Sequence, residues 1–209
     1  MRAYLLSASP LSSPSTVKEA QKESPDPELL YRGAQLAGWY LTVEGIEKMT
    51  NAVVFSTEGT ALSDVLALTQ TVRDALASAP DDTLVLIDSG PVLHDKASFS
   101  DQAEDAAEDD PPIFLWVAFE VKEHEDGTRS LLTHGATKLG SPMEIEVDRS
   151  QRSVEDLLER AADAVLVAMA AGGEIADGDT IELSEDRVRV RIQPSLSGSG
   201  ERAFRLRLP

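Results

Sequence analysis

No cysteine occurs anywhere in the 209 residues. That absence removes a disulfide framework, thiolate metal sites and a cysteine nucleophile together. Positive charge is scarce as well: nineteen Lys and Arg stand against thirty-seven Asp and Glu, a formal net charge of −18. Such a surface repels phosphate backbones and anionic lipid, so neither nucleic acid nor a membrane is an expected partner. The bias suits either salt-adapted solvation or a basic partner. Long apolar runs are also missing. The longest, Ala161 to Ala171, contains Asp163 and falls well short of the roughly 18 residues that cross a bilayer. The N-terminal burst Ala3 to Leu6 is shorter than the apolar region of about 7–15 residues in an export signal. The expected location is cytoplasmic.

Chemical signatures are thin. Gly33 to Gly38 and Gly135 to Gly140 have the glycine spacing of a Walker A loop, but neither is followed by the Lys-Ser/Thr that reaches phosphate and magnesium. A G-x-S-x-G elbow is absent. His94, His124 and His134 fit no zinc-ligand spacing. Asp177-Gly178-Asp179-Thr180 opens like a calcium loop, yet Ile181 and Glu182 stand where an oxygen ligand and a glycine are required. A tight turn is the reading there. No catalytic residue, metal ligand set or cofactor is assigned. One alternative remains, a metal-dependent hydrolase using His94, His134 and nearby carboxylates.

Hydrophobic spacing organises the rest. Strands are expected at residues 2–7, 35–43, 51–55 and 83–87, and helical periodicity runs through 62–79. Seven apolar residues in a row, Ile113 to Phe119, read as a central strand buried on both faces, with Phe114, Trp116 and Phe119 in the core. Glu125-Asp126-Gly127 turns into a strand at 128–134, and 143–147 alternates Ile145 and Val147 against Glu144 and Glu146. Ser153 caps a helix over 154–171 that Gly172 ends. Two alternating strands, 187–192 and 203–208, close the chain around a flexible loop. The expected class is α+β, a mixed, largely antiparallel sheet packed with two main helices and ending in a β-hairpin. It is read as a single domain over 1–209, with mobile segments at 9–27, rich in Ser and Pro, and 97–110, which holds six acids and has helical character in its early part.

Charge is segregated along the chain. Residues 187–209 hold six arginines against Glu201, a local charge of +5, while residues 1–186 carry 13 bases and 36 acids. Strand alternation puts Arg187, Arg189 and Arg191 on one face and Arg205 with Arg207 alongside if the strands pair. The bland reading is a solvated face neutralised by neighbouring acids. The functional reading is a partner-binding ladder for an acidic surface, the chain's own 101–110 among the candidates.

The run Pro112-Ile-Phe-Leu-Trp-Val-Ala-Phe119, the Thr-His-Gly135 strand end, the Gly140-Ser-Pro-Met-Glu144 turn and Asp177-Gly-Asp-Thr-Ile181 resemble the DUF4261 family of bacterial type. The likeness covers about residues 50–193, and departs at Glu182 and Met143. It implies an α+β unit and carries over no catalytic or binding residue. Three function classes follow. The first is a non-enzymatic protein-binding or accessory module with an acidic body and a basic C-terminal hairpin. The others are the hydrolase above and a structural or assembly subunit.

Overall fold

The structure is a computed structural model and describes residues 1–11, 24–36, 48–59, 61–184 and 186–208. Two compact units emerge, Met1–Ala118 and Phe119–Pro209. The α+β class expected from the sequence is what the structure shows. Its strands form two sheets.

In the first unit β1 (Arg2–Ser7), β2 (Asn51–Ser56), β3 (Leu84–Ile87) and β4 (Val92–Asp95) form an antiparallel sheet in the order β2-β1-β3-β4. The two inner strands are buried along nearly their whole length, Ala3 to Ser7 and Leu84 to Ile87. Consecutive apolar residues suit a strand covered on both faces, because successive side chains point to opposite sides. Tyr4, Leu6, Val54, Leu86 and Leu93 pack with Leu30 and Ala34 of α1 (Pro27–Leu36). The alternate residues, Ala3, Leu5, Phe55 and Val85 among them, face the other way. There α2 (Leu62–Leu76), α3 (Lys96–Glu104) and α4 (Ile113–Trp116) cover the sheet.

Several expectations change here. The seven-residue run is not a central strand: Ile113 to Trp116 make one helical turn, and β5 (Ala118–Glu123) starts only afterwards. Pro111 and Pro112 precede the turn, and proline is tolerated where helical N–H groups have no partner anyway. The turn buries Ile113, Leu115 and Trp116 and leaves Phe114 43% exposed, with Phe119 half-buried. A short apolar run fits strand or buried helix equally, and its spacing does not arbitrate. Of the strand expected at 35–43, Gln35 and Leu36 instead finish α1, and 37–43 lie outside the described residues. The Ser/Pro-rich stretch ends at Pro27, the first residue of α1, and 12–23 of it also lie outside them. The early part of 97–110 is helical, as the sequence suggests: it belongs to α3, capped by Asp95 accepting from Ser98 N–H and burying Phe99 and Ala103 completely.

The second unit is a six-stranded sheet of β5, β6 (Arg129–His134), β7 (Glu144–Ser150), β8 (Thr180–Glu182), β9 (Arg187–Pro194) and β10 (Arg202–Arg207). Its order is β5-β6-β7-β10-β9-β8, with β7 and β10 parallel. Helix α5 (Val154–Ala171) occupies the expected span. Ser153 Oγ accepts from Asp156 N–H at its start, and Gly172, at φ 57°, makes the left-handed turn at its end. Its stripe of Leu157, Ala161, Ala164, Val165 and Ala168 is buried, and the helix packs on β6 and β7. On the sheet, Leu131, Ile145, Val147, Val188, Val190, Phe204 and Leu206 form the apolar face. A half-buried ionic knot holds the helix start: Arg152 bridges Asp156 at 2.8 Å and Asp186 at 3.1 Å. That contact with Arg152, foremost, keeps the Asp156 carboxyl below its usual range.

Candidate partner-binding face

The other face of the six-stranded sheet carries the arginines. The two last strands pair antiparallel as expected, placing Arg191 opposite Arg205 and Arg189 opposite Arg207, while Arg187 lies beside Glu182 of β8. All five therefore share one face, since the period of two is unbroken along both strands. Directly opposed side chains on neighbouring strands sit with Cβ atoms about 5 Å apart, so these are two like-charged cross-strand pairs.

The inner pair is neutralised. Arg205 donates to Glu146 at 3.0 Å, to Gln193 Oε1 at 2.8 Å and to the carbonyl of Pro194 at 2.8 Å. Arg191 reaches Asp177 at 3.2 Å. The outer pair is not. The side chains of Arg189 and Arg207 are exposed and make no hydrogen bond or ion pair among the described residues. Arg187 pairs with Glu182 at 3.4 Å, both more than three-quarters exposed, which is worth little in water.

Glu146 corrects the half-exposed reading of β7: only 1% of its surface is accessible. The cause is the β9–β10 connection, which folds back over the sheet. Ser195 Oγ donates to the Glu146 carboxylate at 2.6 Å and Leu196 N–H at 2.9 Å. The loop expected to be flexible is thus anchored at its start. Alternation alone predicts which side Glu146 faces but not what lies above it, so nothing in the sequence flagged this carboxylate.

The Asp177-Gly178-Asp179-Thr180 turn is structural. Asp177 accepts from Ile192 N–H at 2.9 Å, Asp179 from Ala176 N–H at 2.8 Å, and Gly178 N–H donates to Val190. The carboxylate of Asp177 takes the place of a strand carbonyl beyond the end of the short β8. The Ile192 N–H first, and the Arg191 guanidinium after it, hold Asp177 below the usual carboxylate range. Gly178 at φ 96° supplies the backbone conformation that side chains rarely adopt.

Glu144 has a comparable role. It accepts from Thr133 and Thr137 hydroxyls and from the N–H groups of Gly135, Ala136 and Thr137, tying the turn at 136–139 to β7. Two of the sequence motifs read above are therefore carboxylates closing the backbone of turns.

The histidines are placed individually. His94 is buried, with Nε2 3.3 Å from the carbonyl of Leu115 and its ring edge-on to Phe99. Burial pushes its pKa down. His134 meets Glu120 at 2.9 Å and His124 meets Ser130 at 2.8 Å. Among the described residues no three His, Asp or Glu gather as a metal site, and no helix is long and apolar enough to cross a membrane. Comparison of the chain with protein-family models, curated proteins and solved structures finds no match in any of the three.

Proposed function

We propose that the protein is a non-enzymatic protein-binding module of the DUF4261 type. Its arginine face docks an acidic partner, in a cytoplasmic setting. The observation that carries this reading is the outer pair, Arg189 opposite Arg207. Two arginines stand at directly opposed positions on adjacent strands, without a carboxylate partner among the described residues, on a chain with eighteen more acids than bases. Like charges directly opposed weaken a sheet, so their presence needs an offsetting role. Arginine forks bind carboxylates in pairs of hydrogen bonds, which lysine does not reproduce. Their exposure makes the contact salt-sensitive, with a Debye length of about 8 Å at physiological ionic strength.

The test is affinity capture from the native host by the full chain and by the double variant R189E/R207E. Loss of the captured partner by a variant with unchanged thermal unfolding, and its weakening at high salt in the wild type, support the reading. Equal capture by the folded variant at low and high salt sinks it.

A further inference from the structure

Beside the arginine ladder a cleft of about 340 Å³ opens along β7 and β10. Arg149, Arg205 and Arg207 line it, together with Asp148, Gln193 and Leu206. Arg149 sits at a bulge. It has φ 47°, and the β6–β7 register slips next to it, with Arg129 opposite Ser150 but Leu131 opposite Val147.

The three guanidiniums are committed to different degrees. Arg205 is fixed by Glu146, Gln193 and Pro194. Arg149 reaches Asp126 at 2.8 Å, but both side chains are more than half exposed, and such a pair yields readily to a competitor. Arg207 has no partner among the described residues. Asp148, the acid in the lining, is itself answered by the Ser130 hydroxyl at 3.5 Å and by Arg205 at 4.0 Å. With Glu146 and Asp126 counted, Arg205 and Arg149 are answered, and Arg207 is the guanidinium of this cleft left without a carboxylate among the described residues. A donor is also left over. The buried Nε of Arg205 has no hydrogen-bond partner among the described residues, which is uncommon for a buried polar atom.

We propose that this cleft binds a phosphate monoester. The inference rests on the reading of the arginine face as a docking surface and names the chemical group that face holds. A phosphate monoester carries a charge of about −1.5 to −2 at pH 7 and three strong acceptor oxygens. It can engage two forks at once, Arg207 and Arg149, against the fixed charge of Arg205. A carboxylate carries one charge and is satisfied by one fork. An extended polyanion is repelled by the net charge of −18, whereas a single phosphate meets only the local field. The group has two sources, a free small phosphate and a phosphorylated side chain on a protein partner.

Calorimetric titration of the full chain distinguishes them. The probes are inorganic phosphate and a capped Ala-Ala-Ser-Ala-Ala peptide in phosphorylated, unmodified and Ser→Glu forms. The phosphopeptide is expected to bind at least about tenfold more tightly than the Glu form, because charge-assisted bidentate bonds are the stronger ones. R207A and R149A each abolish that preference, while K122A, on an exposed position of β5, leaves it intact. Binding of inorganic phosphate as tight as the peptide's assigns the site to small phosphates. A phosphopeptide preference with weak inorganic phosphate assigns it to a partner segment. Equal binding of the Glu and phosphorylated peptides overturns the phosphate inference and leaves the docking reading standing. No binding of any probe overturns the site, with the docking reading still judged by the capture of R189E/R207E. If R207A fails to fold, R149A carries the test, since its native ion pair is exposed.

Discussion

The two sheets of this protein put the same alternation to opposite use. In the four-stranded sheet both faces are covered by helices, and β1 and β3 read as continuous apolar runs. In the six-stranded sheet α5 covers one face; β9 alternates Arg with Val or Ile over 187–192, and β10 alternates Phe or Leu with Arg over 204–207. The charge follows. Residues 1–118 hold seven bases and nineteen acids, whereas residues 119–209 hold twelve bases and eighteen acids. A sheet buried on both sides has no surface left for recognition. One covered on a single side keeps a flat, rigid array of side chains whose spacing is set by the strands. Candidate chemistry therefore sits in the second unit, and stability in the first is a matter of packing.

The sharpest way to test that division is in the buried sheet. Trp116 is wholly inaccessible, donates from Nε1 to Thr69 Oγ1 at 2.9 Å, and its carbonyl accepts from Ser89. Trp116→Ala is expected to cost about 3–5 kcal/mol, read by denaturant unfolding. Thermal stability unchanged within error would mean that the Trp116 site is not core. Phe114→Ala, at an exposed position, should cost far less, though both residues belong to the same apolar run.

Next in size is the latch on the polar face. Glu146→Ala strands Arg205 in a site only 15% exposed and releases Ser195 and Leu196. Removing one partner of a buried pair is expected to destabilise by about 3 kcal/mol. Hydrogen exchange should also rise at Leu196. A variant as stable as the wild type, with protection at Leu196 retained, would show that the loop is held by something other than this carboxylate.

A pH titration separates the two regions further. Burial lowers the pKa of His94, so the unfolded chain binds its proton more readily than the folded one. The stability this lends is complete above the ordinary histidine value near 6.5 and is lost as the pH falls below it. Asp156 behaves in the same direction at lower pH. Its carboxyl is held down chiefly by Arg152, so its contribution persists above the ordinary value of 3.8 and fades as the pH drops through the lowered one. His94→Gln should flatten the stability profile below about pH 6.5, and Asp156→Asn the one below about pH 4. A slope unchanged in His94→Gln would move the neutral-range dependence elsewhere.

How much of this was legible in the residues follows from what each signal measures. Period-two alternation placed all five arginines on one face, because the strands of a hairpin carry that information locally. Helix α5 was legible to its caps, Ser153 and Gly172, whose requirements are also local. The run at 113–119 was not, since apolar content reports burial rather than backbone conformation. The burial of Glu146 escaped for a different reason: it depends on a loop about fifty residues away that closes over the strand. Asp177 and Glu144 stood in recognisable turns, but the N–H groups they satisfy belong partly to another strand or turn. Local chemistry was readable, then, and tertiary closure was not.

The smallest expected effect bears most directly on the comparison. If Arg189 and Arg207 were a neutral solvated pair, exchanging one of them would hardly matter. Their direct opposition across β9 and β10 predicts otherwise: R207E turns a repelling cross-strand pair into an attracting one, a gain of about 0.2–1 kcal/mol at low salt. R205E gives no such gain, because Arg205 is already held by Glu146. The gain should shrink as added salt screens the pair. A stabilised R207E protein that also loses its partner would mean that the wild type keeps an unfavourable contact for binding, the usual trade between stability and function. A stabilised variant that still captures its partner would confine the binding surface to the remaining arginines. Stability unchanged at every ionic strength would mean that the two guanidiniums splay apart in solution and do not sense each other.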